Sequence, residues 1–131
     1  MSLNISEFKQ VVSNFATGVV VITATTPDGP VGFTCQTFGS LSLEPLLAYF
    51  TAQAGGSSWP RIKGAKSIGI SILSQAQEQL ALQFAASGKD KFSGVEWNAG
   101  PGGAPLLDGA LAHVEGTLQS VTTHGDHEIA V

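Results

Sequence analysis

Charged residues and cysteine are both scarce in this chain. Only 12% of the 131 residues are charged, and six Lys and Arg stand against ten Asp and Glu, which gives a net charge of −4. A nucleic-acid partner is therefore not expected, because neutralising phosphates requires a basic surface. The single cysteine, Cys35, excludes an internal disulfide, and no set of histidines and cysteine has metal-ligand spacing. We expect neither a disulfide framework nor a metal site.

Long apolar runs are absent as well. Hydrophobic residues make up 43% of the chain, but no stretch approaches the roughly 20 residues that a membrane span requires. No signal peptide precedes the first helical pattern, so we expect a cytoplasmic location and no membrane partner. A chain of 131 residues is interpreted as a single domain with its own core. The low charge favours a homodimer that buries further apolar surface.

Hydrophobic periodicity predicts many strands with a few helices between them. The helices are expected over residues 6–15, 58–66 and 75–86. The strands are expected over residues 19–23, 31–38, 46–51, 67–73, 110–119 and 128–131, the stretch over 110–119 alternating as a half-buried strand does. Asn4 or Ser6 can cap the first helix, Thr17-Gly18 ends it, and Gly88 ends the third.

The predicted strands indicate a mainly β protein. Pro27-Asp28-Gly29-Pro30 turns the first strand into the second, and such tight hairpins favour antiparallel pairing. The expected architecture is a closed or partly closed antiparallel barrel. Because the last strand pattern is still running at Val131, we expect further strands beyond it or a partner subunit at that edge. The glycines of residues 99–105 neither follow a strand nor open a helix, so they are interpreted as a loop, not a dinucleotide-binding motif.

Two neighbouring segments carry the candidate chemistry. Residues 32–42 read as a hydroxyl-rich strand and turn, and Ser57-Ser58-Trp59-Pro60 begins a predicted helix that could hold a phosphate. Positive charge is concentrated nearby, at Arg61, Lys63, Lys66, Lys89 and Lys91, against Glu78 and Asp90. This excess suits a small anionic ligand, although a solvated helix face and loop would show the same pattern.

These and other segments resemble the flavin reductase family, whose fold is the FMN-binding split barrel. The segments are FATGVVVIT at 15–23, GFTCQTFGSLSLEP at 32–45, SSW at 57–59, FA at 84–85, DKFSGVEW at 90–97 and GDH at 125–127. The resemblance implies an antiparallel split β-barrel with a few short helices. Family members continue through further strand, so residues 1–131 are interpreted as one flavin reductase-like domain without its C-terminal strands.

The resemblance also implies an activity. Members are homodimers that reduce FMN or FAD with NADH or NADPH and commonly supply reduced flavin to a partner monooxygenase. It does not separate FMN from FAD or NADH from NADPH. Two other hypotheses stay open: a flavin-binding or electron-carrier protein of the same fold that does not turn over, and a structural or regulatory dimer with an empty site.

The resemblance implies a set of flavin-binding residues. They are Phe33, Thr34, Cys35, Gln36, Thr37, Ser40, Thr51, Ala52, Ser57, Ser58, Trp59, Lys91 and Phe92. The polar members of 34–40 suit the ring and ribityl chain, unless they form a polar strand face toward solvent. Ser57 and Ser58, with Arg61 and Lys91, suit the phosphate, although ordinary helix capping explains the serines equally well. Trp59 and Phe84 are more often packing residues, and Cys35 is expected to pack as a small apolar group.

His127 is the candidate catalytic residue. In the family's Gly-Asp-His segment the histidine lies at the nicotinamide side, where it can orient the reductant by hydrogen bonding. Hydride transfer needs no nucleophile or strong base, so the lack of a catalytic triad does not count against the activity. The alternative is a turn histidine held by Asp126 or by main chain. His113 and His124 are interpreted as surface or turn residues.

Overall fold

A computed structural model describes residues 2–87 and 90–131. The helices are α1 (Ile5–Val12), α2 (Trp59–Ile62) and α3 (Glu78–Ala85), the last preceded by a 3-10 turn at Gln75–Gln77. The strands are β1 (Val20–Thr26), β2 (Gly29–Cys35), β3 (Gly39–Leu43), β4 (Leu46–Gln53), β5 (Ile68–Ile72), β6 (Trp97–Ala99), β7 (Pro105–Leu107), β8 (Ala112–Gly116), β9 (Val121–His124) and β10 (His127–Ala130). The predicted helix stop at Gly88 and the predicted cation Lys89 lie outside the described residues.

The strands form two four-stranded sheets and one small hairpin. The first sheet has the order β2-β1-β5-β8, the second has the order β3-β4-β10-β9, and β6 pairs with β7. Every strand pair among the described residues is antiparallel. The mainly β, antiparallel prediction is confirmed, and the two sheets remain separate in the described residues rather than closing into one continuous barrel.

Strand β1 is the centre of the core because both of its faces are covered. Its residues Val20 to Ala24 are all buried, which explains why this strand reads as a continuous apolar run instead of an alternating one. Ile22 faces the cluster that contains Phe50 and Trp59, and Val21 faces a second cluster around Phe84 and Leu107. Helix α2 and strand β4 therefore cover one face, and α3 and β7 the other.

The predicted hairpin forms, with shifted ends. Thr26 pairs with Gly29 across a two-residue loop, and Gly29 has a φ of +114° that L side chains rarely adopt. Strand β2 begins at Gly29, earlier than predicted, and ends at Cys35 instead of residue 38. The chain then enters β3, a strand that the sequence interpretation had read as a turn. This early end of β2 brings residues 36–38 out of the sheet.

The first helix is shorter than predicted. Of the two predicted caps, Asn4 rather than Ser6 is the one observed, because its side-chain oxygen accepts from the Glu7 amide at 2.8 Å. The helix ends at Val12 rather than residue 15. Asn14 explains the difference: its side-chain amide donates to the Gln10 carbonyl at 3.0 Å and so competes with the helical backbone.

Other boundaries also differ from the predictions. Helix α2 has four residues, not nine, and Gly64 follows its C-cap at Lys63. The predicted loop over 99–105 lies partly in the β6–β7 hairpin, and β9 had no predicted counterpart. The strand expected over 110–119 forms as β8, but it is shorter than predicted and largely exposed rather than half-buried, because it is an edge strand that pairs with β5. No helix in the described part of the chain has the length and apolar character needed to span a membrane.

Candidate functional site

A cavity of about 640 Å³ opens where β2, β4, α2, α3 and β10 meet. All of the predicted site residues except Ser40, Phe92 and Arg61 line it. They are Phe33, Thr34, Cys35, Gln36, Thr37, Thr51, Ala52, Ser57, Ser58, Trp59, Lys91 and His127. Segments that are far apart in the sequence therefore share one wall, as a ligand-binding site requires.

Ser40 and Phe92 are two of the predicted residues that do not line this cavity. Ser40 lies on β3, exposed, in register with Ala48 of β4. The Phe92 ring packs edge-on against Phe84, with 4.9 Å between ring centroids, and lies 6.1 Å from Trp97. Phe84 itself lines the cavity. Phe92 therefore packs against the side of Phe84 that faces away from the cavity and helps to hold the Phe84 ring in position.

A small hydrogen-bond network joins the end of β2 to β4. The Thr37 hydroxyl is hydrogen-bonded to the Thr51 hydroxyl, and the Thr37 oxygen accepts from the Thr51 amide at 3.2 Å. The buried Cys35 sulfur lies 3.4 Å from the Thr37 hydroxyl oxygen and 3.5 Å from the Thr51 carbonyl oxygen. The polar wall is thus held in place by contacts of β4 with the end of β2 and with the loop that follows it.

Thr34 anchors β2 to helix α3. Its hydroxyl donates to the Ala81 carbonyl at 2.6 Å. The hydrogen is used in that bond, so only the lone pairs of the Thr34 oxygen remain for a ligand, and Thr34 can meet a ligand as an acceptor. Gln36 is exposed on the cavity wall and keeps both donor and acceptor groups.

One end of the cavity is positively charged. The Lys91 ammonium donates to the Ser58 hydroxyl at 3.3 Å, across 33 residues of sequence. Burial lowers the pKa of Lys91 from its ordinary value. The Ser58 side chain makes no capping bond to α2, so the capping alternative for this serine is not observed. A partly desolvated cation beside a hydroxyl can hold an anionic group.

Arg61 lies elsewhere, contrary to the prediction. Trp59 and Ile62 bury one side of α2 against the core, which leaves Arg61 exposed on the other side. There it lines a second cavity of about 460 Å³ together with Lys66. Of the described members of the predicted basic cluster, only Lys91 lines the main cavity.

His127 lies at the mouth of the cavity, where β10 begins. Its Nδ1 is 2.8 Å from the Asp126 carboxylate, and its side chain is 49% exposed. The hydrogen bond with His127 lowers the pKa of Asp126 from its ordinary value. The contact predicted for a simple turn histidine is therefore present, yet the ring also lines the cavity. His113 and His124 are exposed and do not line it.

Sequence reasoning missed two parts of the site. The first is the C-terminal end of α3, where Ala81, Leu82, Ala85, Ala86 and Ser87 line the cavity; the resemblance at 84–85 was the available signal. The second lies behind the cavity wall: the carboxylate of Glu128 accepts from the Trp59 indole at 2.7 Å and from the Lys63 ammonium at 2.9 Å. No local pattern signals that pair of bonds, because more than 60 residues of sequence separate the partners.

The comparisons with known proteins agree with this geometry. Residues 12–131 match the model of the flavin reductase like domain. The chain is 39% identical to the reductase subunit HsaB of a flavin-dependent monooxygenase from Rhodococcus jostii over 94% of its length. That alignment covers 63% of HsaB, so the chain spans less than two thirds of this curated relative.

Solved structures show the same fold. Nitrilotriacetate monooxygenase component B from Mycobacterium thermoresistibile superposes with a TM-score of 0.90 at 36% identity, covering 94% of this chain and 69% of that one. The Streptomyces globisporus NADH:FAD oxidoreductase SgcE6, solved with NAD and FAD fragments, superposes with a TM-score of 0.91 at 32% identity, covering 99% of this chain and 81% of that one. Over residues 12–131, this chain belongs to the flavin reductase family.

Proposed function

We propose that this chain is an NAD(P)H:flavin oxidoreductase that reduces FMN or FAD and supplies the reduced flavin to a partner monooxygenase. One observation carries the proposal: a single cavity gathers the polar end of β2, the Lys91–Ser58 pair and His127. The names of HsaB, a monooxygenase reductase subunit, and of SgcE6, an NADH:FAD oxidoreductase, support it. We also propose that residues 1–131 act as one domain.

The residues present fit a flavin nucleotide. The cavity volume of about 640 Å³ lies within the range of roughly 300–1,000 Å³ that holds small ligands. Lys91 and Ser58 offer a cation and a hydroxyl to the phosphate, and Thr34, Gln36 and Thr37 offer acceptors and donors to the ribityl chain and the ring edge. When bound, the flavin would supply the hydride-accepting ring. The protein supplies binding, orientation and electrostatics.

His127 is proposed to orient the nicotinamide. A carboxylate only accepts hydrogen bonds, so the Asp126 contact places the hydrogen of the neutral imidazole on Nδ1 and leaves Nε2 as an acceptor. Nε2 can then accept from the carboxamide NH₂ of NADH or NADPH. Holding the donor carbon over its acceptor is the main task in a hydride transfer, because no proton has to be removed by the protein.

The proposal includes a homodimer. The apolar side chains of α1 and its flanks are exposed, among them Ile5 at 76%, Phe8 at 56% and Phe15 at 79%. An eight-residue helix is marginal without a packing partner, and a second copy of the chain would cover this face. A cytoplasmic location is also proposed, since Cys35 is a free thiol and the reaction draws on nicotinamide nucleotides.

The test is consumption of NADH and NADPH by the purified chain, with and without added FMN or FAD. Consumption that depends on added flavin is the expected result. A chain that retains flavin tightly but consumes no reductant would contradict the reductase proposal and favour a flavin carrier of the same fold. A chain that binds no flavin would contradict both.

A further inference from the structure

The Glu128 carboxylate joins two elements that both contribute residues to the cavity wall. Its Oε1 accepts from the Trp59 indole Nε1 at 2.7 Å and from the Lys63 ammonium at 2.9 Å. Its Oε2 accepts from the Thr123 hydroxyl at 3.3 Å. One carboxylate therefore joins helix α2 to the β9–β10 hairpin.

Both joined elements carry proposed site residues. Ser58 directly precedes Trp59, and His127 directly precedes Glu128. Adjacent residues of a strand point to opposite faces, so His127 reaches the cavity while Glu128 points toward α2. The hydrogen bonds of Glu128 therefore help to fix the distance between Ser58 and His127. Glu128 itself does not line the cavity.

The Trp59–Glu128 bond is partly buried, whereas the Lys63–Glu128 bond is exposed. The Glu128 side chain is 13% exposed, and Trp59 is almost fully buried against Phe50, with 5.5 Å between ring centroids. Hydrogen bonds to a charged group in such a setting are roughly twice as strong as those between neutral groups. The bonds from Lys63 and Trp59 also lower the pKa of Glu128 from its ordinary value, so the carboxylate stays ionised at neutral pH.

We propose that Glu128 is a positioning residue: through Trp59 it fixes the Ser58–Lys91 anion site relative to His127. The inference rests on the proposed function in that it assigns the phosphate of the flavin to Ser58 and Lys91. Neutralising Glu128 leaves Lys63 without its counter-charge and loosens the start of α2, which carries Ser57 and Ser58. The residues that bind the phosphate are then less well positioned, whereas the residues of β2 and β4 that contact the ring are unaffected.

Comparing FMN with riboflavin isolates this effect, because riboflavin lacks only the phosphate. For Glu128→Gln we expect the dissociation constant of FMN to rise by roughly tenfold, the lower end of the change seen when a group that supports a metal ligand is removed. The dissociation constant of riboflavin should change little. Lys63→Met, which leaves the indole bond to Glu128 intact, should shift FMN in the same direction by a smaller factor.

A second measurement uses the protein without ligand. The chain has two tryptophans, Trp59 and Trp97, so its indole N–H groups give two signals in a ¹H–¹⁵N spectrum. Glu128→Gln should move the Trp59 signal and speed its exchange with solvent, and should leave the Trp97 signal in place. Thermal unfolding of each variant shows how much stability is lost with the bond.

The outcomes are separable. Glu128→Gln could lower the melting temperature and raise the dissociation constants of FMN and riboflavin by the same factor, or leave both dissociation constants unchanged. Either result would show that the residue is structural only and would overturn the proposal. If the wild-type chain binds FMN without oxidising NADH, the reductase function fails, and the FMN-to-riboflavin comparison still decides the role of Glu128. A wild-type chain that binds neither flavin overturns both.

Discussion

The ammonium of Lys91 donates to the hydroxyl of Ser58 at 3.3 Å and so closes one end of the main cavity. Lys91 belongs to the segment after α3, and Ser58 lies at the start of α2. Burial partly desolvates the Lys91 ammonium and lowers its pKa, so an anionic partner would stabilise its charge. In the proposed function, the phosphate of the flavin would accept a hydrogen bond from this cation at this end of the cavity.

Replacing Lys91 with Met should weaken FMN binding by roughly tenfold or more, because a charge-assisted hydrogen bond to the phosphate is lost. Riboflavin binding should stay nearly unchanged. The check is fluorescence titration of both ligands. Arg61→Met is the matched control, since Arg61 lies on the far side of α2 and lines another cavity. An equal loss in the two variants would show that general positive charge, not the Lys91 site, attracts the ligand.

The same lysine predicts a pH dependence. The pKa of Lys91 is lowered, so its ammonium is lost at a lower pH than that of an ordinary lysine. FMN affinity should therefore fall as pH rises toward and through that lowered pKa, and Lys91→Met should remove this part of the profile. The measurement is the FMN dissociation constant as a function of alkaline pH. A wild-type profile that matches the Lys91→Met profile would contradict the assignment.

Gly69 should not tolerate a side chain. A Cβ built at Gly69 would lie 2.6 Å from the Thr23 hydroxyl oxygen and 2.7 Å from the Pro105 carbonyl oxygen, in a buried part of β5. Gly69→Ala should cost about 1–3 kcal/mol in the free energy of unfolding, as overpacking does. Gly64→Ala is the control, because nothing lies within 4 Å of a Cβ at Gly64. Chemical denaturation of both variants measures the difference, and equal stability would refute the packing.

Glu115 should make stability depend on acid pH. Its carboxylate accepts from the amides of Gly102 and Ala104, both at 2.9 Å, and from the Ser67 hydroxyl at 2.8 Å. These bonds, with that from Gly102 the largest cause, lower the pKa of Glu115. The resulting stability is present above the unfolded-state pKa of about 4.3 and is lost as pH falls through the lower folded-state pKa.

Glu115→Gln should flatten this acid limb of the melting temperature against pH. Glu96→Gln is the matched control, since Glu96 is exposed and we expect its replacement to leave the limb unchanged. Identical acid limbs in the wild type and in Glu115→Gln would show that the loop contact contributes nothing to the acid sensitivity.

Phe8→Asp should shift the protein toward the monomer. Phe8 is 56% exposed on the apolar face of α1, and a charge placed in an apolar interface is strongly unfavourable. Sedimentation velocity at micromolar concentration should show the wild type as a dimer and the variant as a monomer. Ser6→Asp adds the same charge to the same helix at an exposed polar position and should stay dimeric. A monomeric wild type would contradict the proposed homodimer.

The sequence predicted best those elements in which local chemistry agrees with the fold. The β1–β2 hairpin follows from Asp28-Gly29, since glycine alone tolerates the φ of +114° there. The cap at Asn4 follows from its spacing to Glu7. Helix α1 was predicted too long because the apolar pattern continues to Phe15. In the structure the Asn14 side-chain amide donates to the Gln10 carbonyl and so competes with the backbone amide that would continue the helix.

Strands β3 and β9 could not be read from their sequences. Gly39–Leu43 is rich in glycine and serine, which are also typical of turns, and Val121–His124 has strand-favouring residues but only four of them. They form strands because β4 and β10 offer them partners, and pairing is a long-range property. The edge position of β8 is likewise set by topology, and no local pattern reports it.

The cavity wall was largely predictable, but the direction of side chains on α2 was not. Arg61 follows Ser58 closely in sequence, yet burial of Trp59 and Ile62 turns it away from the cavity. The link from Glu128 to Trp59 spans 69 positions and depends on how β10 and α2 pack. Such contacts become visible only when the fold is known.

The most direct test of the account is anaerobic single-turnover reduction of FMN by NADH, followed by the loss of flavin absorbance, in the wild type and in His127→Ala. We expect the wild type to reduce bound FMN rapidly. His127→Ala should be roughly tenfold slower or more at subsaturating NADH with unchanged FMN affinity, and His124→Ala, outside the cavity, should match the wild type. Equal rates in all three proteins, or no reduction by the wild type, would contradict the proposed site.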